Sequence, residues 1–455
     1  MKRDLADRLR EIVRQPVGPR ASATSAPPRE LVVEPTLEMR SGLFSAVAST
    51  PPGETSPDLI ARFGGVFLDE QQHVAVIDYV YESSQSHGRW PIDAARPRRE
   101  APLDWFDPTA SAGSDWSLKP VFFDTETTGL SGGAGTLAFL TGCGWFEPDG
   151  FRVRQWLLLS QAGEPAMLAA LGRVIADTTL LVSYNGRSFD VPLMNMRWAF
   201  HRRENPFDDV PHFDLLPTAR RLWRQREGAI DDAGDASCSL STLERDVLGF
   251  HRHGDVPGFE IPSRYFHFLR TGDASALTGF LDHHRHDIVS LAVLMSHALR
   301  IAEHGPDMCR DDYEVVALGR LYERARQPGR ACDAFDRASR SADRYVRAQA
   351  FSRLGVMHRR DGRHDEAARA WQGVLEAAGG RRSLFKLERA AVEALAIHNE
   401  HRAQDFSEAK RYAETMKATA SGRAANDAAH RLARLERKLS GEHKKRAPKI
   451  APLLE

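Results

Sequence analysis

The sequence of 455 residues has few cysteines, no net charge and no long apolar run. Its four cysteines are scattered without a Cys-x-x-Cys pair, which disfavours a disulfide framework and a structural zinc site. The 62 Lys and Arg residues balance the 62 Asp and Glu residues, so any surface for nucleic acid must be local. Neither a signal peptide nor a membrane span is expected, and a cytoplasmic location without a membrane partner is predicted.

Composition and periodicity divide the sequence into segments. Apolar residues at helical spacing predict a short amphipathic helix over 1–16, and Pro, Ser, Ala and Thr predict a flexible linker over 17–57. Two strand-like runs around a polar turn predict a small β-containing subdomain over 58–112. The remaining segments are predicted as an α/β domain over 113–304, helical repeats over 312–420 and a basic helical tail over 421–455.

Two carboxylates lie one residue apart at the end of the apolar run Val121-Phe122-Phe123. Alternate side chains of a strand share a face, so Asp124 and Glu126 project together while Thr125 points away. Their mutual repulsion is relieved most simply by a divalent cation between them. The alternative is a polar strand end that runs into a turn at Gly129. The preceding apolar run favours a buried central strand with a site at its carboxyl end.

A second acidic candidate follows the apolar segment 180–182. That segment predicts a strand, which ends in the turn Asn185-Gly186, and a helix is expected to begin near Asp190. The carboxylate of Asp190 is either a further metal ligand or a helix N-cap, a role that Asp fills often.

A third candidate lies on a helix predicted over 275–303, where apolar residues form a stripe. His283 and Asp287 are four positions apart and therefore share one face of this helix. The alternative is a solvated pair beside the surface histidines His284 and His286.

From about residue 312 the sequence repeats at a spacing of 36 residues. The matched positions are Leu318-Gly319, Tyr322, Ala331 and Phe335, followed by Leu354-Gly355, His358, Ala367 and Trp371. Small residues at such positions allow close helix packing, and an aromatic residue fills the gap between helices. The region resembles tetratricopeptide repeats, which implies an unknown protein partner; the alternative is an ordinary helical bundle.

The three acidic motifs, in this order, resemble the DEDD-type exonuclease superfamily, which has a ribonuclease-H-like fold. The helices that contain Asp214-Leu215-Leu216 and Leu240-Ser241-Thr242-Leu243 are similar to those of the same superfamily. More narrowly, Pro257-Gly258-Phe259-Glu260-Ile261-Pro262 and the glycine-rich segment 129–135 resemble the bacterial YprB-like ribonuclease-H-like proteins with C-terminal repeats. The resemblance covers about residues 60–300.

The resemblance implies an α/β ribonuclease-H-like domain, with a mixed sheet flanked by helices, followed by an all-α helical-repeat domain. It also implies a metal-dependent nuclease, a 3′-5′ exonuclease on single-stranded DNA or RNA, that uses two divalent cations. An all-carboxylate set favours Mg²⁺ or Mn²⁺. The alternative is a catalytically weak or inactive scaffold that binds nucleic acid or acts through its repeats.

The family pattern assigns the metal ligands to Asp124, Glu126, Asp190 and Asp287. Asp124 is expected to bridge both cations, Glu126 and Asp287 to complete one shell, and Asp190 to support the other. His283 stands where many members carry a Tyr, and it is the candidate proton acceptor. The expected contacts to nucleic acid are Thr127, Gly129, Leu130, Asn185 and Arg187.

Overall fold

The computed structural model describes residues 60–111, 115–129, 135–224, 238–273, 275–419 and 421–440. The amphipathic helix predicted over 1–16 and the linker predicted over 17–57 lie outside the described residues. Leu130, most of the glycine-rich segment and the end of the predicted basic tail lie outside them as well.

Nine strands are found in the described part of the chain. They are β1 (Val66–Phe67), β2 (Val74–Glu82), β3 (Ser86–His87), β4 (Trp90–Pro91), β5 (Pro120–Thr127), β6 (Ala138–Glu147), β7 (Gly150–Leu158), β8 (Leu180–Ser183) and β9 (His212–Asp214). Seven of them form one sheet in the order β1-β2-β7-β6-β5-β8-β9, while β3 pairs with β4. The pairs β5-β8 and β8-β9 are parallel and the others are antiparallel, so the sheet is mixed.

Helices cover both faces of this sheet. The α/β part contains α1 (Leu103–Phe106), α2 (Glu164–Ile175), α3 (Asp190–Phe200), α4 (Leu215–Leu222), α5 (Leu240–Leu243), α6 (Ile261–Thr271) and α7 (Ser275–His304). Val121 and Phe123 of β5 belong to the core on the side of α2 and α3. Phe122 belongs to the opposite core with Ile288 of α7, as the alternation of a strand requires. The central strand is therefore buried on both faces.

The rest of the described chain is helical. Its helices are α8 (Asp312–Arg324), α9 (Pro328–Ala338), α10 (Arg344–Arg360), α11 (His364–Ala378), α12 (Phe385–His398), α13 (Phe406–Thr419) and α14 (Arg423–Leu439). A Cβ atom added to Gly319 of α8 would lie 2.6 Å from the ring of Phe335 on α9. Gly355 of α10 meets Trp371 of α11 in the same way, so consecutive hairpins repeat one packing contact.

The α/β part and the first helical hairpins share one core, which contains residues of β5, α4, α7, α8 and α9. Tyr322 of α8 donates a hydrogen bond of 2.9 Å to the carbonyl of Ala302, in the last turn of α7. Arg330 of α9 donates to the carbonyl of Glu303 at 2.7 Å. The repeats thus satisfy carbonyl groups that the end of α7 leaves without helical partners.

The predicted fold class is confirmed: a mixed sheet with flanking helices precedes an all-α region. In the described residues, no helix is both long enough and apolar enough to cross a membrane.

Candidate metal centre

The carboxylates of Asp124 and Glu126 lie at the carboxyl end of β5, on the face that packs against α7. Both residues are half-buried, whereas the Val-Phe-Phe run before them is fully buried. The pairing of β5 with β6 shifts register between Glu126 and Thr127. Such irregularities redirect side chains beside functional sites.

Helix α7 brings His283 and Asp287 to these carboxylates. The side chains are 15% and 14% exposed, and Nε2 of His283 lies 3.4 Å from Oδ2 of Asp287. One ligand atom from each of Glu126, His283 and Asp287 lies within 4.8 Å of the others. The alternative of a solvated helical pair is therefore wrong, because the pair faces the carboxyl end of β5.

His284, which was expected at the surface in that alternative, is completely buried under β5. Its Nε2 donates to the backbone carbonyl of Asp124 at 3.0 Å, since a carbonyl can only accept. Its Nδ1 then accepts from Nε2 of Gln155 at 2.8 Å. Burial lowers the pKa of His284 to about 4, so the ring is neutral and its tautomer is fixed by these two partners. Gly142 of β6 leaves the space for the ring.

Asp190 approaches β5 from the other face of the sheet. It is the first residue of α3, but Phe189 occupies the N-cap position, so capping does not account for the acid. Its carboxylate accepts a hydrogen bond from the hydroxyl of Thr125, the residue between Asp124 and Glu126. Thr125, whose side chain points away from Asp124 and Glu126, thus contacts Asp190.

Asp214, at the end of β9, fixes the turn that leads to Asp190. Its carboxylate accepts hydrogen bonds from the backbone N–H groups of Asn185 at 2.8 Å and Arg187 at 3.2 Å. Asn185 has a positive φ of 64°, a conformation that Asn tolerates better than most residues. The same carboxylate caps α4 through the N–H of Leu216.

Arg252 is a residue of this site that sequence reasoning missed. Its guanidinium is only 7% exposed, donates to both oxygens of Glu244 at 2.6 and 2.7 Å, and also contacts Asp287. Burial opposes its charge, but the carboxylates of Asp287 and Glu244 outweigh that effect and raise the pKa of Arg252. The guanidinium of Arg252 therefore places a buried positive charge within the site. Arg252 lies in a loop without periodicity, and the nearby Pro-Gly-Phe-Glu-Ile-Pro segment was the only local signal.

Asp255, three residues after Arg252, is a second missed residue. Its Oδ1 lies 2.8 Å from Nδ1 of His283, and the guanidinium of Arg252 lies 3.1 Å from the same nitrogen. We assign the proton to Nδ1, because an ionised carboxylate can only accept and this is the shorter contact. The lone pair of Nε2 then faces Asp287 and Glu126.

Burial, together with repulsion among the carboxylates, governs the electrostatics of the centre. Burial raises the pKa of Asp124 well above its ordinary value, and the charges of Asp190 and Asp287 add to that effect. Burial and the charge of Asp287 likewise raise the pKa of Glu126. Burial also raises the pKa of Asp190 to about 6. A divalent cation would supply the positive charge that stabilises the ionised forms of these acids.

The oxygen-rich ligand set fits hard divalent cations. Ligand atoms of Glu126, Asp287 and His283 lie within 4.8 Å of one another, and this group does not include Asp124 or Asp190. Asp124 is close enough for its pKa to respond to the charge of Asp190. Carboxylate oxygens are the ligands that Mg²⁺ and Mn²⁺ prefer.

Of the residues predicted to contact nucleic acid, Thr127 and Gly129 follow the acids of β5, Asn185 and Arg187 lie in the turn before α3, and Leu130 is outside the described residues. The hydroxyl of Thr127 donates to the carbonyl of Gly129 at 3.0 Å. Asn185 is half-buried in its turn. Arg187 is exposed, but its guanidinium donates to Asp107 at 2.6 Å and to the carbonyl of His212.

Two comparisons with known proteins agree with this arrangement. The family model described as the RNase_H superfamily matches residues 121–299, a range that contains all four acids and His283. A protein of Bacillus subtilis (strain 168), named uncharacterized protein YprB, is 30% identical over 387 residues. The alignment covers 82% of this chain and 88% of that relative, so the similarity extends beyond the α/β domain into the helical region.

Proposed function

This chain belongs to the RNase_H superfamily together with the YprB-like proteins, and we propose that it is a two-metal 3′-5′ exonuclease on single-stranded DNA or RNA. The nuclease superfamily and the acidic centre support hydrolysis of phosphodiester bonds. The observation that carries the proposal is the convergence of Glu126, Asp287 and His283, within 4.8 Å of one another, beside the repelling charge of Asp124.

Asp124, Glu126, Asp190 and Asp287 are the residues that would hold two divalent cations, Mg²⁺ or Mn²⁺. When bound, such cations lower the pKa of an attacking water and stabilise the leaving oxygen. The hydroxyl of Thr125 orients Asp190, and His284 fixes the backbone of Asp124. These contacts hold the ligands in place before any ion binds.

His283 is the proposed proton acceptor. Its Nε2 faces the carboxylates, while Asp255 accepts from Nδ1 and keeps the lone pair on Nε2. Arg252 contacts Asp287 and His283, and it is anchored to the buried Glu244. A carboxylate, that of Asp255, thus orients the proposed base, and Arg252 positions Asp287.

The proposal is tested with Mn²⁺-dependent release of nucleotides from labelled single-stranded DNA and RNA. Asp124→Asn and Asp287→Asn should each reduce release by about 1,000-fold or more, because each removes a ligand of the charge-stabilising centre. Asp282→Asn is the matched control on α7: its side chain is 42% exposed and pairs with Arg285, so its activity should equal that of the wild type. Equal activity in all four proteins would refute the nuclease proposal.

A second candidate function is an inactive nucleic-acid-binding scaffold, which the contact between Arg252 and Asp287 favours. An arginine paired with a predicted metal ligand reduces the need for a cation at that position. Calorimetric titration with Mg²⁺ and Mn²⁺ separates the two candidates. Binding that Asp124→Asn abolishes supports the enzyme, whereas no binding heat in the wild-type protein supports the scaffold.

A further inference from the structure

Exposed arginines lie side by side where the α/β domain meets the first helical hairpin. Arg220 and Arg221 are in the last turn of α4, and Arg320 and Arg324 are four positions apart on α8. All four side chains are exposed, and α4 packs directly against α8. The hydrogen bond from the indole N–H of Trp223 to Glu314 locks the two helices together. We name these four residues the arginine ridge.

The ridge concentrates charge of one sign. Arg320 and Arg324 lie one turn apart on α8, which packs against α4. Partial burial and the charges of the Arg221 and Arg320 guanidiniums lower the pKa of Arg324. Within the described residues, Arg324 has neither a hydrogen-bond nor an ion-pair partner. The adjacent acid Glu323 is turned toward Arg353, 3.6 Å away. A folded protein keeps such repelling cations together at a cost in stability, and an anionic ligand would remove that cost.

The ridge is physically connected to the candidate catalytic centre. Arg221 donates to the carbonyl of Phe106 at 3.0 Å, and the next residue, Asp107, pairs with Arg187 at 2.6 Å. Arg187 lies three positions before Asp190 on the turn that Asp214 fixes. Arg187, Asp107, Phe106 and Arg221 thus form a continuous series of contacts from the turn before Asp190 to the ridge.

We infer that the arginine ridge binds the phosphate backbone of the single strand whose end lies in the metal centre. The planar fork of arginine matches phosphate oxygens, and contacts to the backbone position a strand without reading its sequence. The first hairpin is then part of the nucleic-acid surface rather than only a site for a protein partner. This inference rests on the proposed function only for the end of the strand that enters the centre.

The test measures binding without cleavage, by fluorescence anisotropy in EDTA over a series of salt concentrations. The ridge variant is Arg221→Gln with Arg324→Gln, and the control is Arg363→Gln with Arg411→Gln. The control residues are also exposed arginines of the helical region, but they pair with Asp361 at 2.7 Å and Glu408 at 2.8 Å. Both double variants remove the same charge from the full-length protein.

For an oligonucleotide of about 20 nucleotides, the ridge variant should bind roughly tenfold more weakly than the control. Its salt dependence should fall by about 0.7 in log–log slope for each lost phosphate contact. A dinucleotide should bind both variants equally, because it is too short to reach the ridge from the centre. Lysine at both ridge positions should restore only part of the affinity, because the charge remains but the planar fork is lost.

Equal affinity and equal slope of the ridge and control variants for the longer strand would overturn the inference. So would a ridge variant that keeps its affinity for nucleic acid but loses affinity for oligoglutamate, because the ridge would then be a peptide-docking surface. Neither result bears on cleavage. Conversely, a protein that binds through the ridge but never releases nucleotides would contradict the nuclease proposal alone.

Discussion

At the scale of single residues, a hydrogen bond between the buried His284 and the backbone of Asp124 fixes the position of the metal centre. A ring nitrogen of a buried, neutral histidine donates to that carbonyl at 3.0 Å. This contact is possible only because residue 142, which pairs with Asp124 in the neighbouring strand, is glycine. A methyl group there would overlap the ring of His284 and push α7 away from β5.

Gly142→Ala should therefore lower nuclease activity by about 100-fold through displacement of the ligands. It should also destabilise the fold by about 1–3 kcal/mol, the usual cost of overpacking. Gly172→Ala is the control, because an added Cβ there meets open space in α2. Nucleotide release and urea denaturation of both variants measure the two effects. Unchanged activity in Gly142→Ala would show that the contact does not position Asp124.

The acids of the centre were predictable from sequence, whereas the residues that hold them in position were not. Strand alternation and helical spacing are local rules, so they place Asp124 beside Glu126 and His283 beside Asp287. Arg252 and Asp255 reach the site from a loop, and no local rule fixes where a loop side chain points. His284 was a surface residue only in the alternative of a solvated pair, and its burial depends on the space beside Gly142 on a distant strand, which no local rule predicts.

At the scale of elements, the helical hairpins are held together by one repeated contact between a glycine and an aromatic ring. Gly319 lies against Phe335, and Gly355 lies against Trp371. The sequence predicts this packing because the residue types recur at a fixed spacing of 36 positions. The junction with α7 was not predictable, since it uses Tyr322 and Arg330 in contacts to backbone carbonyls that any residue could provide.

Gly355→Ala should destabilise the helical region by about 1–3 kcal/mol, because a Cβ atom would overlap the indole of Trp371. Gly329→Ala is the matched change in α9, where an added Cβ meets nothing within 4 Å. It should leave stability unchanged or raise it by up to about 1 kcal/mol. Thermal denaturation followed by circular dichroism compares the two. Equal melting temperatures would show that the hairpin interface adapts to the extra methyl group.

At the scale of the whole molecule, the stability of the metal-free protein depends on the protonation of its centre. The pKa values of Asp124 and Glu126 are raised well above their ordinary values, and that of Asp190 is raised to about 6. Each acid therefore binds its proton more tightly in the folded state than in the unfolded state. The stability that results is present at low pH and is lost as the pH rises through the folded-state pKa values.

The rise in melting temperature that Mg²⁺ causes should consequently be larger at pH 8 than at pH 5. Bound cations offset the repulsion of ionised acids, and at saturation the increase at pH 8 should be about 5 °C. Differential scanning calorimetry measures the melting temperature with and without Mg²⁺ at both pH values. The difference at each pH removes the contribution of distant histidines, which titrate equally in both samples. Asp124→Asn should reduce the Mg²⁺ effect at pH 8 to that at pH 5. An equal rise at both pH values in the wild-type protein would contradict this account.

Helix α7 contains 30 residues and is therefore about 45 Å long. Asp287 lies on α7, 17 positions before His304, and this spacing corresponds to about 25 Å along the helix. His304 is at the end of α7 that the first hairpin caps. A continuous helix cannot shorten, so the bond to be cut and the first hairpin stay at a constant separation. The distance between the centre and the first hairpin would then set a minimum length for tight binding. A strand shorter than that distance would no longer contact the hairpin. Degradation should slow at a fragment length that the helix, rather than the chemistry, determines.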